Sequence, residues 1–277
     1  MNFLLALHDA EAQQETRLWD ELTIKHARAT MDQIKDEIHR NGMERVLNNG
    51  ALCDIAAKKV DIYHQKFPGA PKARAAVPFS MATLVDEDVD ATDTMALLCY
   101  TATDIQGDLR WCMLQKNYTK WPLLSVKIRI AVAKLGRHAT ELGTGPVMYH
   151  GLHGIQLGDM QKYMVEHTIG DLVLQECSIT YPAPVSCSRS REVAIKFACG
   201  LGGTAPPKFK YGILLEVVNP KLGWQSHMRA DVHTFISKFP YEEEVVFAPF
   251  KMFHVPSQTP KSKVINGCTL QILQMYM

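Results

Sequence analysis

Phe239-Pro-Tyr-Glu242-Glu243-Glu244-Val-Val-Phe247, running on into Pro249-Phe250, brings three adjacent acids to the start of an apolar strand. Glu242 and Glu244 are two residues apart, so in an extended chain both carboxylates point to one face. Such acids are costly to bury and odd as surface decoration. Two same-side carboxylates can divide labour, one stabilising positive charge in a transition state while the other accepts a proton. A charged edge that blocks strand pairing accounts for the same residues equally well. The segment alone leaves both readings open.

Around it the texture is that of a β-rich half. Pro146-Val-Met-Tyr149, Tyr211–Val218, Glu244–Phe247, Met252–Val255 and Thr269–Met275 are short runs bounded by Gly, Pro or Asn. Upstream, Met95–Tyr100, Asp104–Gln115 and Pro122–Leu135 carry helical signals. Helices followed by a cluster of strands predict an α+β architecture rather than alternating βαβ units. Further toward the N-terminus, Ile24, Ala27, Met31, Ile34 and Ile38 recur at steps of three and four, one apolar stripe along a helix that Asn41-Gly42 stops. Leu52, Ala56, Val60, Tyr63 and Phe67 form a second stripe, ended by Pro68-Gly69. A partner-binding hairpin is one reading of this pair; mutual packing, or packing on the main domain, is the simpler one. Pro68, Pro71 and Pro78 then punctuate a stretch that closes on Asp86-Glu-Asp-Val-Asp90, read as a linker whose acidic end is a solvated turn. The expected division is a helical region at 1–66, a linker at 67–90 and a main domain at 91–277.

Composition narrows the class. The chain has 277 residues, 47% of them apolar and 21% charged, the proportions of a soluble globular protein. A formal charge of +1 gives no field favouring nucleic acid or an anionic membrane. No run approaches the roughly 20 apolar residues of a membrane span. The apolar start, Met1-Asn-Phe-Leu-Leu-Ala-Leu, lacks a basic flank and reads poorly as a signal peptide. The seven cysteines form no C-x-x-C pair and are read as reduced thiols of an intracellular protein, so a cytoplasmic location is expected.

Three features are set aside. Gly200-Leu-Gly-Gly203 has no Lys-Ser/Thr after it and is read as a flexible loop rather than a phosphate cradle. His150 and His153 lack a helically spaced glutamate or a cysteine partner, so no metal is expected. Cys187, flanked by serines near Arg189 and Arg191, has no identifiable base and is read as a small core or strand residue.

Three separated segments remain: Val147-Met-Tyr149-His150-Gly151; Ser186-Cys-Ser188 with Val193-Ala194 and Phe197 downstream; and Phe239-x-x-Glu242-x-Glu244. In order they resemble the ADP-ribosyltransferase superfamily, most closely its R-S-E branch, over about residues 91–277. Ser186-x-Ser188 fits that branch's Ser-x-Ser motif, and Phe239-x-x-Glu242-x-Glu244 is similar to its substrate-recognition loop. One position departs: where the branch has arginine this chain has His150, so that Tyr149-His150-Gly151 looks like the first motif of the diphtheria-toxin and poly(ADP-ribose) polymerase branch. There the histidine contacts the adenine-side ribose and the glycine backbone clamps the nicotinamide amide. Arg189 and Arg191 are guanidinium groups suited to phosphate, although a solvated surface role accounts for both more simply.

The resemblance implies a mixed sheet split around an NAD cleft with helices before it, and mono-ADP-ribosylation that uses NAD as substrate without a metal. Glu244 would stabilise the positive charge that develops on the ribose, and Ser186 would hold Glu244 in register. Glu242 would recognise and activate a guanidinium on a protein acceptor. Tyr149, His150, Gly151, Ser186, Ser188 and Phe197 would line the NAD site. Two alternatives stay open: an NAD glycohydrolase, and an inactive NAD-binding or interaction module marked by His150.

Overall fold

The computed structural model describes residues 17–48, 52–67, 88–101, 103–136, 147–154, 165–169, 172–181, 183–201, 207–218, 229–231, 236–237, 239–248, 251–256 and 261–276. The expected linker falls largely outside them, as do Gly202, Gly203, Pro249 and Phe250. The chain divides into two compact units: Met1–Arg137 with Phe235–Lys238, and His138–Thr234 with Phe239–Met277.

The first unit is helical. After a helical segment over 17–26 come α1 (Met31–Arg40), α2 (Glu44–Asn48), α3 (Leu52–Lys66), α4 (Ala91–Thr101), α5 (Thr103–Leu114) and α6 (Pro122–Gly136). The single helix expected over Ile24–Ile38 is instead two. Thr30 starts α1 with a reciprocal cap: its hydroxyl accepts the Gln33 amide at 3.3 Å while the Gln33 side chain accepts the Thr30 amide at 2.9 Å. That break turns Ile24 out, 69% exposed, while Ala27, Ile34 and Ile38 stay buried. The stripe on α3 is as expected, with Ala56, Val60 and Tyr63 buried.

Two buried carboxylates organise this unit. Asp93, with no exposed surface, receives Lys127 at 2.7 Å and Lys134 at 2.6 Å, both lysines reaching it from α6. It also accepts the Asp90 amide, and Asp90 accepts the Asp93 amide at 2.8 Å. The acidic turn expected at the end of the linker therefore closes, at Asp90, as the N-terminal cap of α4. Glu37, 2% exposed on α1, accepts the amides of Leu123 and Leu124 at 2.8 Å each and so caps α6 from a different helix. Burial outweighs those bonds and pushes its pKa up to about 7.

The second unit carries the sheet and one described helix. Its strands are β1 (Val147–His153), β2 (Val165–Ile169), β3 (Leu172–Tyr181), β4 (Val185–Ser188), β5 (Tyr211–Val218), β6 (Arg229–Asp231), β7 (Glu244–Phe247), β8 (Lys251–Pro256), β9 (Lys261–Ile265) and β10 (Cys268–Tyr276); α7 (Arg191–Cys199) follows β4. The order is β2-β3-β8-β10-β5-β1-β4-β7-β6, with β9 paired to β10. β5 and β10 run parallel and their other pairings are antiparallel, so the sheet is mixed and the fold is α+β, as expected. The sheet is also pinched. β1 and β5 register at seven positions and β4 and β7 at four, but β1 and β4 register only where Tyr149 faces Ser188. The sequence reading missed β2, β3, β6 and β9, and of β4 it had only Cys187 as a core or strand residue.

α7 lies on one face of the sheet, and two glycines let it. A Cβ on Gly151 would stand 2.2 Å from the Ala194 carbonyl oxygen, and one on Gly212 would stand 2.4 Å from that of Ala198. Ala194 and Ala198 belong to this close approach. The opposite face packs Met148, Val185, Cys187, Leu215, Val245 and Phe247 into an apolar core. Cys187, 2% exposed, is a strand core residue, as expected.

Candidate active site

The pairings place the site residues in one row. Glu216 on β5 is opposite Tyr149, Tyr149 opposite Ser188, and Ser188 opposite Glu244. Directly paired residues share a face, and it is the α7 face: Tyr149 packs against the apolar cluster that contains Ala194 and Ala198, while the alternate residues Cys187 and Val245 enter the core on the other side. Ser186, two residues before Ser188, points the same way.

Glu244 is 4% exposed, and the Ser186 hydroxyl donates a short hydrogen bond to its Oε1. A carboxylate so enclosed is fixed in position, with its charge little screened by water. The Ser-x-Ser spacing thus has a local cause: the strand carries Val185 and Cys187 into the core and delivers both hydroxyls to the α7 face.

Glu242 reaches the site by a different route from the one expected. It ends a 3-10 turn over Pro240–Glu242, and Glu243 follows with φ of 48°, so the chain is not extended across the two glutamates. Hydrogen bonds from the neighbouring strand end hold this turn. The Ser188 hydroxyl donates to the Glu242 carbonyl at 2.6 Å, and the Arg189 amide donates to the Glu243 carbonyl at 3.0 Å. Burial first, and the nearby Glu244 charge second, push the Glu242 pKa up to about 7. The two carboxylates therefore sense each other although a turn, not a strand, brings them together.

Gly151 lies beneath α7, which requires a residue without Cβ there whatever the site binds. Phe197, on α7, is 52% exposed. His150 is 5% exposed, and its Nδ1 lies 2.7 Å from the Ser186 carbonyl oxygen. Gly200 is not a loop glycine but the left-handed cap of α7, at φ 64°. Two features escaped the sequence reading, Tyr241 and the partner of Arg191. Tyr241, 71% exposed, sits between Phe239 and Glu242 with its ring edge-on to Phe239 at 5.9 Å. Arg191, at the first position of α7, is paired with Glu216 at 3.1 Å. Glu216 looks in sequence like any acid within an apolar run; only its register with Tyr149 places it in the row.

Among the described residues there is no group of three or more His, Cys, Asp or Glu able to hold a metal, and no helix long and apolar enough to cross a membrane.

No protein-family model matches the chain, and no curated protein is similar to it in sequence. Solved structures are similar in fold. The type III effector XopAI from Xanthomonas axonopodis pv. citri aligns over 95% of this chain and 91% of its own, at 14% identity and a TM-score of 0.51. The ADP-ribosyltransferase HopU1 from Pseudomonas syringae pv. tomato aligns over 82% and 97% at 14% identity, with a TM-score of 0.46. Vis toxin, an ADP-ribosyltransferase from Vibrio splendidus, aligns over 81% and 84% at 17% identity, with a TM-score of 0.42.

Proposed function

We propose that the chain is a mono-ADP-ribosyltransferase that transfers ADP-ribose from NAD to a protein acceptor, through an arginine side chain. The observation that carries this reading is the pair of glutamates: Glu244, buried and held by Ser186, and Glu242, two residues earlier, with its pKa pushed up to about 7. Cleaving the nicotinamide–ribose bond develops positive charge on the ribose, and a fixed, poorly solvated carboxylate stabilises that charge. Glu244 has this character. Glu242, half-buried on a turn, is suited to a different task, binding a guanidinium and accepting its proton. The exposed Tyr241 beside it offers an aromatic face to the same cation. NAD would lie against Tyr149, Ser188 and the Gly151 backbone on the sheet and against Phe197 on α7.

NAD hydrolysis is the second reading, favoured by the elevated pKa of Glu242, because a protonated Glu242 would leave water as the acceptor. Labelled NAD incubated with and without agmatine separates the two. Formation of ADP-ribosyl-agmatine supports transfer, free ADP-ribose in both arms supports hydrolysis, and no turnover overturns both. In the active protein, Glu244→Gln lowers kcat on the order of 10²–10³-fold, as loss of one well-placed electrostatic stabiliser does. Near-normal cleavage by a folded Glu244→Gln variant removes Glu244 from the mechanism.

A further inference from the structure

We infer that His150 is the clasp across the pinched sheet: it acts on Glu244 through Ser186 and does not hold NAD itself. The inference rests on the function proposed above for Glu244 and goes beyond it.

The sheet is tied weakly just where the two halves of the candidate site meet. Val147 through His153 of β1 are all in register with β5, and all of β4 is in register with β7, whereas one pair, Tyr149 with Ser188, joins β1 to β4. The residue after that pair on β1 is His150, and its ring crosses to the β4 backbone, Nδ1 to the Ser186 carbonyl at 2.7 Å. A carbonyl oxygen only accepts, so Nδ1 carries the proton and donates.

The direction of the side chain agrees. Strand alternation puts His150 on the same side as Met148 and Leu152, which pack in the apolar core away from α7, while Tyr149 faces α7. Glu244, Ser186 and Ser188 point to the α7 side. The imidazole therefore meets β4 from the core side, at the peptide whose hydroxyl holds the catalytic-type carboxylate from the other. Ser186 is thus gripped twice, by His150 on its carbonyl and by Glu244 on its hydroxyl. His150 is 5% exposed, and removing this buried donor takes from the part-buried Ser186 carbonyl its bond across the gap and frees β4 to move from β1.

The isosteric amides decide between a clasp and a ligand contact. An asparagine amide nitrogen falls near the position of a histidine Nδ1, and a glutamine amide nitrogen near that of Nε2. NAD cleavage is measured for the wild type and for His150→Asn, His150→Gln and His150→Leu. The expected result is a kcat lower on the order of 10²-fold in the Gln and Leu variants, the cost of displacing a reacting group by about 1 Å. Their KM for NAD changes less than about threefold, and Asn recovers most of the lost kcat. The opposite order, with Gln active, Asn impaired and KM raised, overturns the clasp in favour of direct contact through Nε2. Nitrogen NMR of histidine-labelled wild-type protein reads the clasp without any turnover, so failure of the proposed function remains distinguishable. A slowly exchanging Nδ1–H supports the clasp, and a ring protonated at Nε2 alone overturns it.

Discussion

Alanine at Gly151 or at Gly212 tests how tightly α7 is pressed onto the sheet. A Cβ at Gly151 would stand 2.2 Å from the Ala194 carbonyl oxygen and 2.9 Å from the Ala198 nitrogen; one at Gly212 would stand 2.4 Å from the Ala198 carbonyl oxygen. Carbon and oxygen in ordinary contact are more than 3 Å apart, so the helix must retreat by about 1 Å in either variant. The obstacles are backbone atoms within a helix and cannot swing aside as a side chain would. Overpacking costs about 1–3 kcal/mol, and these contacts belong at the upper end. The same retreat relieves both clashes, so the double variant should cost less than the sum of the singles by more than about 0.5 kcal/mol. Urea unfolding of the four proteins measures this. NAD turnover adds a second axis: Gly151 lies in the candidate site and Gly212 further along, opposite His153, so equal destabilisation with unequal activity assigns Gly151 a functional share beyond packing. Either single variant within about 0.5 kcal/mol of the wild type would refute the close approach.

Glu242 must be ionised to take a guanidinium proton, so transfer to agmatine should rise with pH through about 7 while NAD hydrolysis does not follow it. Rate profiles of the two reactions check this, and Glu242→Ala should abolish transfer and spare hydrolysis; parallel profiles or equal losses remove the division of labour. Glu37 makes a separate prediction about stability. Its folded pKa of about 7 lies above the ordinary 4.5, so its favourable contribution is complete below pH 4.5 and is lost as pH rises to about 7. The loss is about 3 kcal/mol, from a shift of roughly two and a half pKa units in a group 2% exposed. Glu37→Gln keeps one acceptor for the α6 amides and should flatten that part of the stability–pH curve; an unchanged slope by urea titration counts against the buried cap.

What the sequence determined was wherever one local signal sufficed. The helices Ala91–Thr101, Thr103–Leu114 and Pro122–Gly136 and the strands Tyr211–Val218 and Glu244–Phe247 announced themselves because each is a long apolar run or has clear boundaries. β9 did not, because Lys261-Ser-Lys-Val-Ile265 is exposed almost throughout and buries no face to leave a pattern. Its signal was Asn266-Gly267, both at positive φ and joining it to β10 in the way such a dipeptide marks a hairpin. Spacing along the chain brought out Ser186, Ser188, Glu242 and Glu244, but their relations are tertiary. Glu244 is fixed by a hydroxyl 58 residues away. Glu242 reaches it around a turn rather than along a strand, and Glu216 enters the row only through the register of β1 with β5. The site for His150 was the least legible of all. An imidazole can face a ligand, a metal or a carbonyl, and the choice lies with which strand lies across the gap, here β4 with its Ser186 carbonyl.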